Sequence, residues 1–152
     1  MTALTANKPL PNRDPSNDPD RPANRDPRGK VYVAGPLTFA AQGELANAEK
    51  RAQHVQRAAR IAERLRKAGW TPFLPHSHYT AWSAALGGLI FEGRSGHDEV
   101  MTQCLRWVAV CDALVRIPGY SPGSDVEVDH ATRLGIPVYP ASELDKLTRA
   151  RT

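Results

Sequence analysis

Residues 111–128, CDALVRIPGYSPGSDVEV, decide the fold of this chain. The run 113–117 is short and apolar, as in a buried strand. The run 118–123, PGYSPG, is dense in turn residues and predicts a loop, and the residues from Ser124 onward predict a helix. A strand, a Gly/Pro loop and a helix N-terminus in this order form the place where α/β proteins bind ligands, because exposed backbone N–H groups and the helix dipole favour an anion there.

Glu127 has two interpretations in this segment. Ser124-x-x-Glu127 fits a capping box, in which the glutamate bonds back to the backbone at the start of the helix. Glu127, Ala131 and Leu134 are also spaced i, i+4, i+7, so that Glu127 begins the helix stripe that faces the sheet. A carboxylate on that stripe lies against the ligand crevice, where a nucleophile is useful. The spacing leaves both roles open.

The rest of the chain alternates between strand and helix patterns. Strands are predicted at residues 30–34, 70–74, 113–117 and 136–139, and helices at 45–68, 97–110, 125–134 and 142–149. This alternation predicts an α/β protein with a Rossmann-like (flavodoxin-like) parallel sheet of four to five strands and helices on both faces. Pro72 favours an edge position for the second strand. The loops after the first and third strands are expected to line one crevice at a switch point of the sheet.

The small residues of the first helix predict its inward face. They repeat at i, i+4, i+7 spacing: Ala48, Ala52, Val55, Ala59, Ala62 and Leu65.

Residues 75–96 are predicted to be the longest irregular stretch of the chain, with a short helix at about 80–86. This stretch carries His76, His78 and Trp82, which fits either a substrate lid or a loop whose aromatic side chains only pack. Two histidines with no third ligand nearby do not make a metal site, so we expect no metal. Asp98, in the first turn of the next helix, fits either a partner of the helix dipole or a residue of the site.

Composition narrows the class of protein. The 152 residues suit one domain, the net charge is +4 and the pI is about 9.3. The basic residues are spread along the chain without interleaved aromatics, so we expect phosphorylated small molecules rather than nucleic acid as partners. No apolar run suits a membrane span or a secretory signal, and the two cysteines match neither a disulfide framework nor a metal pattern. A cytoplasmic location is the simplest expectation.

The N-terminal residues 1–29 differ in composition from the remainder. They are rich in Pro, Asp, Asn and Arg, and NRDP occurs at 12–15 and again at 24–27. Such a segment has little apolar surface to bury, which predicts a disordered tail followed by one domain at 30–152.

Three motifs resemble the nucleoside 2-deoxyribosyltransferase superfamily, which includes nucleoside 5′-monophosphate N-glycosidases. They are YVAGP at 32–36, CDAL at 111–114, and Ser-x-Gly-x-x-x-Glu at 121–127. The likeness covers about 30–139 and is strongest to a bacterial and phage subgroup described only as deoxyribosyltransferase-like. It implies a Rossmann-like fold and cleavage or transfer at the N-glycosidic bond of a nucleoside or nucleotide, without a cofactor.

The resemblance also implies roles for individual residues. Glu127 matches the nucleophile that forms a glycosyl-enzyme intermediate, Tyr32 matches its partner, and Ser121 matches a phosphate contact. The predicted substrate-binding residues lie in the two loops and the lid: Gly35, Pro36, Leu37, Thr38, His76, His78, Trp82, Gly119, Ser121, Gly123 and Ser124. Family sites are completed by a neighbouring subunit, so a homodimer or higher homo-oligomer is expected.

One position departs from the family pattern. The family places an acid/base Asp eight residues before the Asp of the CD pair, and here that position is Cys104. A neutral thiol is a poor proton donor to a base, which leaves Asp98 as the acid/base candidate. The departure keeps open a non-catalytic nucleotide-binding or sensing module with the same fold.

Overall fold

The computed structural model describes residues 28–36, 44–88, 91 and 93–150. In this part of the chain the strands are β1 Gly29–Ala34, β2 Trp70–Phe73, β3 Ala113–Arg116 and β4 Val138–Pro140. The helices are α1 Glu44–Lys67, α2 Pro75–Ala85, α3 Gly93–Ala109, α4 Pro122–Arg133 and, after a 3-10 turn at Ala141–Glu143, α5 Leu144–Thr148. None of these helices is both long and apolar enough to cross a membrane.

The described strands form one parallel sheet in the order β2-β1-β3-β4. This confirms the predicted α/β fold and puts β2, with its Pro72, at an edge. Because β1 pairs with both β2 and β3, the chain runs outward from β1 to β2 and then returns to the other side of β1. The carboxyl ends of β1 and β3 are therefore neighbours at a switch point, where open α/β sheets bind ligands.

Alternate side chains of each central strand enter the two hydrophobic layers. Val31 and Val33 of β1 pack with Ala58 and Leu65 of α1 and with Leu144 of α5. On the other face, a second set of buried residues joins β1 and β3 to α2, α3 and α4: Tyr32, Ala34, Tyr79, Cys104, Val108, Leu114 and Ala131. A strand with both faces covered in this way is typical of parallel sheets. Tyr32 is thus the residue that β1 directs toward α3 and α4.

The loops after β1 and β3 touch each other, as predicted. Gly119 has φ +128°, and a Cβ atom on it would lie 2.9 Å from Cγ of Pro36. A Cβ atom on Gly35 would lie 2.8 Å from Cβ of Ile117. Glycine at both positions lets the two loops approach closely at the switch point.

Several predicted details were wrong. The buried face of α1 is Ala58, Ala62 and Leu65, and Ala59 is exposed, because the run of alanines in this helix gives no unique apolar stripe. Most of residues 75–96 is helical rather than irregular, since α2 begins with Pro75 in its first turn, where a missing N–H has no cost. The side chain of Ala48 lies outside the described residues.

The boundary of the N-terminal segment also moves. Gly29 opens β1, and the Arg28 guanidinium donates to the backbone carbonyls of Leu147 and Arg149. Composition placed both residues in the tail, whereas Gly29 lies in the sheet and Arg28 is bonded to the end of α5. The expectation of disorder for the preceding residues, 1–27, lies outside the described part of the chain.

Candidate active site

Tyr32 and Glu127 meet at the switch point of the sheet. The Tyr32 hydroxyl donates a hydrogen bond to Oε2 of Glu127, across 95 residues of sequence. Tyr32 is fully buried and Glu127 is only 6% exposed. The sheet-facing phase of α4 produces this contact, because it turns Glu127 toward β1 rather than toward solvent.

Glu127 is not a capping residue. Helix α4 begins at Pro122, and its N-cap is Ser121, whose Oγ accepts from the backbone N–H of Ser124 at 3.2 Å. The Ser121 hydroxyl also donates to Oγ of Ser124 at 2.8 Å. The predicted capping box was therefore wrong by one turn: the helix starts three residues earlier, and Glu127 lies beyond the positions that a cap uses.

Burial controls the ionisation of both partners. Desolvation raises the pKa of Glu127 to about 7, opposed by the Tyr32 hydrogen bond and by the Arg116 charge. Desolvation, followed by the nearby Glu127 carboxylate, also raises the pKa of Tyr32 far above its usual range. The phenol therefore stays protonated as a donor, while the carboxyl changes charge close to neutral pH.

Cys104 of α3 completes this buried group. It is 4% exposed and lies in the same buried hydrophobic layer as Tyr32. Burial raises the pKa of the thiol to about 12, so it is neutral at physiological pH. Cys104 is thus a neutral, buried side chain of the layer that also holds Tyr32.

Arg116 is a residue of this region that the sequence analysis missed. It ends β3, and its guanidinium donates to the carbonyl of Ile117, to the carbonyl of Gly119 at 3.0 Å and to Oδ1 of Asp125 at 3.1 Å. Its side chain is 17% exposed. One cation therefore links β3, the loop after it and the first turn of α4. Arg116 could have been predicted from its position, because residues at the carboxyl end of a central strand lie where α/β sheets bind ligands.

Asp98 is not part of the Tyr32–Glu127 contact. Its side chain is 74% exposed, and its carboxylate lies 3.9 Å from Nδ1 of His97. Its backbone carbonyl accepts from the Thr102 hydroxyl at 3.0 Å. Asp98 therefore lies on the outer side of α3, whose buried residues are Gly96, Cys104 and Val108.

Aromatic side chains of β2, α2, α3 and the connection between the two helices form a continuous set of ring contacts, which we call the aromatic cluster. Its members are Phe73, His78, Tyr79, Trp82, Phe91 and Trp107. Phe73 connects the cluster to the site, because its ring centroid lies 5.7 Å from that of Tyr32. Trp82 is nevertheless 43% exposed. The rings thus pack against one another and also leave aromatic surface open.

The other predicted binding residues fall into three groups. Gly35, Pro36 and Gly119 meet at the switch point. Gly123 and Ser124 lie in the first turn of α4, where Gly123 packs on Met101 and Ser124 is buried. Leu37, Thr38 and the side chain of His76 lie outside the described residues.

A cavity of about 530 Å³ lies at the other edge of the sheet, among the residues that precede the strands. Trp70, Asp112 and Pro137 are part of its wall. Arg28 and the Trp70 indole both donate to the carbonyl of Leu147 here. These hydrogen bonds supply partners for a backbone carbonyl in the last turn of α5, where helical partners are missing. In the described part of the chain, no group of three or more His, Cys, Asp or Glu side chains is placed to hold a metal ion.

The fold and site define an α/β protein with a buried carboxylate–phenol pair at the switch point of a parallel sheet. The chain belongs to the family described as "Domain of unknown function (DUF1937)", whose model matches residues 29–143. The search of curated proteins found no match.

Solved structures give a comparison of fold. A structure from a study of the 2-deoxyribosyltransferase of the psychrotolerant bacterium Bacillus psychrosaccharolyticus is similar to this chain, with a TM-score of 0.48 and 23% sequence identity. The similarity covers 73% of this chain and 70% of that one.

Proposed function

We propose that this protein cleaves, or transfers a sugar at, the N-glycosidic bond of a nucleoside or nucleoside 5′-monophosphate. The observation that carries the proposal is the buried Glu127 carboxyl, which accepts from the Tyr32 hydroxyl at the switch point. The motif resemblance at 32–36 and 121–127 gives the same two residues the roles of nucleophile and partner. The site geometry and the motif resemblance therefore support the same two residues, Tyr32 and Glu127, as the reacting pair.

Glu127 acts as the nucleophile in this proposal. Tyr32 binds Oε2, so we assign the attack on the anomeric carbon to Oε1. As the new C–O bond forms, the C–N bond breaks and its electron pair leaves with the base nitrogen, which takes a proton from water. Water, or a second base, then attacks the anomeric carbon and Glu127 leaves as a carboxylate. With water as acceptor, its hydroxyl goes to the sugar and its proton balances the one taken by the base.

Tyr32 supports the second half of this reaction more than the first. Its hydrogen bond is strongest to the charged carboxylate and weaker to the neutral glycosyl ester. It therefore favours departure of Glu127 from the sugar. Because the pKa of Tyr32 is raised by burial, the phenol remains a donor throughout.

The crevice offers separate surfaces for sugar and base. Gly35, Pro36 and Gly119 line the closest approach of the two loops, which suits the sugar. His78 and Trp82 of the aromatic cluster have ring centroids 6.0 Å apart, and Trp82 leaves ring surface open for stacking on a base. We infer that substrate bridges these surfaces across Tyr32 and Phe73.

A non-catalytic nucleotide-binding or sensing module is the second candidate. It is favoured by the buried neutral thiol of Cys104 at the expected acid/base position and by the exposure of Asp98. Such a module would bind the same ligands in the same crevice without releasing base.

One experiment separates the two candidates. The purified protein is incubated with a panel of nucleosides and 5′-monophosphates, and free base is measured by chromatography. The protein is then digested, and the masses of its peptides are measured by mass spectrometry. The enzyme is expected to release base and to gain the mass of one glycosyl group on the peptide that contains Glu127. Binding of a panel member without base release would establish the sensing module instead.

A further inference from the structure

Helix α1 carries a line of positive charge on its outer side. Positions 50, 53, 57, 60, 64 and 67 alternate in spacing between three and four residues, which places them along one side of an α-helix. Five of these positions are basic, Gln53 is the sixth, and all six residues are exposed. We call the five basic residues the basic stripe: Lys50, Arg57, Arg60, Arg64 and Lys67.

The excess positive charge of the chain belongs to this helix. The sequence of α1 has seven Lys or Arg residues and three Glu residues, which gives a net charge of +4. The net charge of the entire chain is also +4, so the remaining residues together are neutral. The basic residues are dispersed along the sequence, but the fold gathers the excess onto one exposed helix.

The acidic side chains near the basic stripe leave most of its charge available. Glu63 pairs at 2.6 Å with Arg66, which is not part of the stripe, and Glu49 lies at one end of the stripe. Asp145 of α5 pairs with Arg64 at 3.0 Å, but these two side chains are 87% and 55% exposed. An ion pair so open to water contributes little, so a phosphate can replace Asp145 as the partner of Arg64.

We propose that the basic stripe binds duplex nucleic acid through its phosphate groups, without reading the base sequence. Between its first and last residues the stripe rises about 26 Å, over which a duplex carries roughly 15 phosphates. Each cation of the stripe therefore has a phosphate to neutralise, and the counterions released from the duplex drive the binding. Contacts of this kind hold a protein on the duplex but do not distinguish one base from another.

Two other polyanionic surfaces fit the stripe less well. Single-stranded nucleic acid is bound by aromatic side chains on which the bases stack, and residues 50–67 contain no Phe, Tyr or Trp. A helix that lies in a membrane surface inserts an apolar face into the lipid. The apolar face of α1, which includes Ala58, Ala62 and Leu65, is instead buried inside the protein.

The stripe is separate from the candidate active site. Helix α1 packs on the face of the sheet that holds Val31 and Val33, whereas Tyr32 points into the layer formed with α2, α3 and α4. The sheet therefore lies between a duplex bound to α1 and the Tyr32–Glu127 pair, so this duplex is not the substrate of the proposed reaction. The inference consequently does not depend on the proposed function.

The test is the salt dependence of duplex binding. Fluorescence anisotropy of a labelled DNA duplex of about 20 base pairs and arbitrary sequence is measured between about 50 and 300 mM salt. For wild type, the logarithm of the association constant should fall against the logarithm of salt concentration with a slope of about −4.5, as expected for five neutralised phosphates. The double variant Arg57→Gln, Arg60→Gln should reduce this slope by about 2 and weaken binding at least about tenfold at the lowest salt.

Matched variants separate the stripe from the total charge. Arg57→Lys with Arg60→Lys keeps both charges and should keep the slope of wild type. Arg94→Gln with Arg106→Gln removes two charges from exposed positions of α3, on the other face of the sheet, and should leave the slope unchanged. Equal losses in the two glutamine double variants would overturn the proposal, because binding would then follow net charge alone.

Folding of each variant is checked by circular dichroism. Glutamine is a good helix former, so the variants are expected to fold. If Arg57→Gln with Arg60→Gln does not fold, Arg64→Gln with Lys67→Gln takes its place, and the same decrease in slope is expected.

Three further outcomes would contradict the proposal. They are absence of duplex binding at about 50 mM salt, equal or tighter binding of one strand of the same DNA, and tighter binding of vesicles of phosphatidylcholine and phosphatidylserine. Base release is measured on the same variants and should not change, because the stripe lies away from Tyr32 and Glu127. Failure of base release with intact duplex binding would remove the proposed function and leave this inference standing.

Discussion

The Tyr32 hydroxyl donates to Oε2 of Glu127 in a contact that joins β1 to α4 and that water scarcely reaches. A carboxyl held in this way loses much of its hydration, so that its charge is set by a few neighbours rather than by solvent.

Glu127→Gln should abolish base release and leave the fold intact. The glutamine oxygen can still accept from Tyr32, but a neutral amide is a poor nucleophile toward the anomeric carbon. We expect at least about a thousandfold loss of rate, or about 4 kcal/mol in transition-state stabilisation. Asp129→Asn is the matched control, because this exposed residue of the same helix pairs only with Arg133 in the described part of the chain. Retained turnover in Glu127→Gln would assign the chemistry to another residue.

Stability should fall as the pH rises from about 5 to 7.5, through the titration of Glu127. Its pKa in the folded protein is about 7, above the usual 4.5, so the folded state binds more protons than the unfolded state between these values. The slope of unfolding free energy with pH is therefore negative in this window, with an upper limit of about 3 kcal/mol in total. Urea unfolding of wild type and Glu127→Gln across this range measures the effect. If the unfolding free energies of wild type and Glu127→Gln changed with pH in parallel, the prediction would be contradicted.

Substitution of Arg116 should move the titration of Glu127. Arg116→Met removes the cation that lowers the pKa of Glu127, so the midpoint of the pH–rate profile should rise by about 0.5–1 pH unit. Arg116→Lys keeps the charge and should give a smaller shift. Asp125→Asn is the opposing variant, because it frees Arg116 from its carboxylate partner and should lower the midpoint. The idea fails if all three profiles coincide with that of wild type.

A 5′-phosphate on the ligand should increase affinity. The Ser121 loop precedes the N-terminus of α4, where the helix dipole favours an anion, and Arg116 neutralises the Asp125 carboxylate that would otherwise repel it. Opposing this, Pro122 offers no N–H, and the Ser121 oxygen already accepts from Ser124. Calorimetric titration with a nucleoside and its 5′-monophosphate compares the two. Equal affinity would exclude the phosphate subsite.

The protein should form a homodimer or a higher homo-oligomer. Trp82 is 43% exposed and Leu86 is 57% exposed on and just after α2, and such apolar surface favours a partner. Multi-angle light scattering at micromolar concentration gives the mass, which is 16.6 kDa for one chain. Trp82→Arg should dissociate the assembly, whereas the same change at exposed Val126 of α4 is the control. A monomeric mass for the wild type would contradict this prediction.

The sequence predicted the four strands and their parallel sheet because parallel strands with both faces covered read as apolar runs separated by turn residues. Pro72 correctly indicated an edge strand. The failures fall on helices. The alanines of α1 give no unique stripe, and Ser124 competes with Ser121 as a cap because both have the same hydroxyl chemistry.

The sequence by itself determined that an α/β sheet would bring the loops after β1 and β3 together and that Glu127 could face them. Only the tertiary structure decided between a capping and a buried glutamate, because that choice depends on where α4 starts and what lies opposite it. It also brought the Tyr32 hydroxyl to that carboxyl, and it exposed Asp98. The physical reason is that helix phase and burial are set by packing between distant segments, which local spacing does not encode.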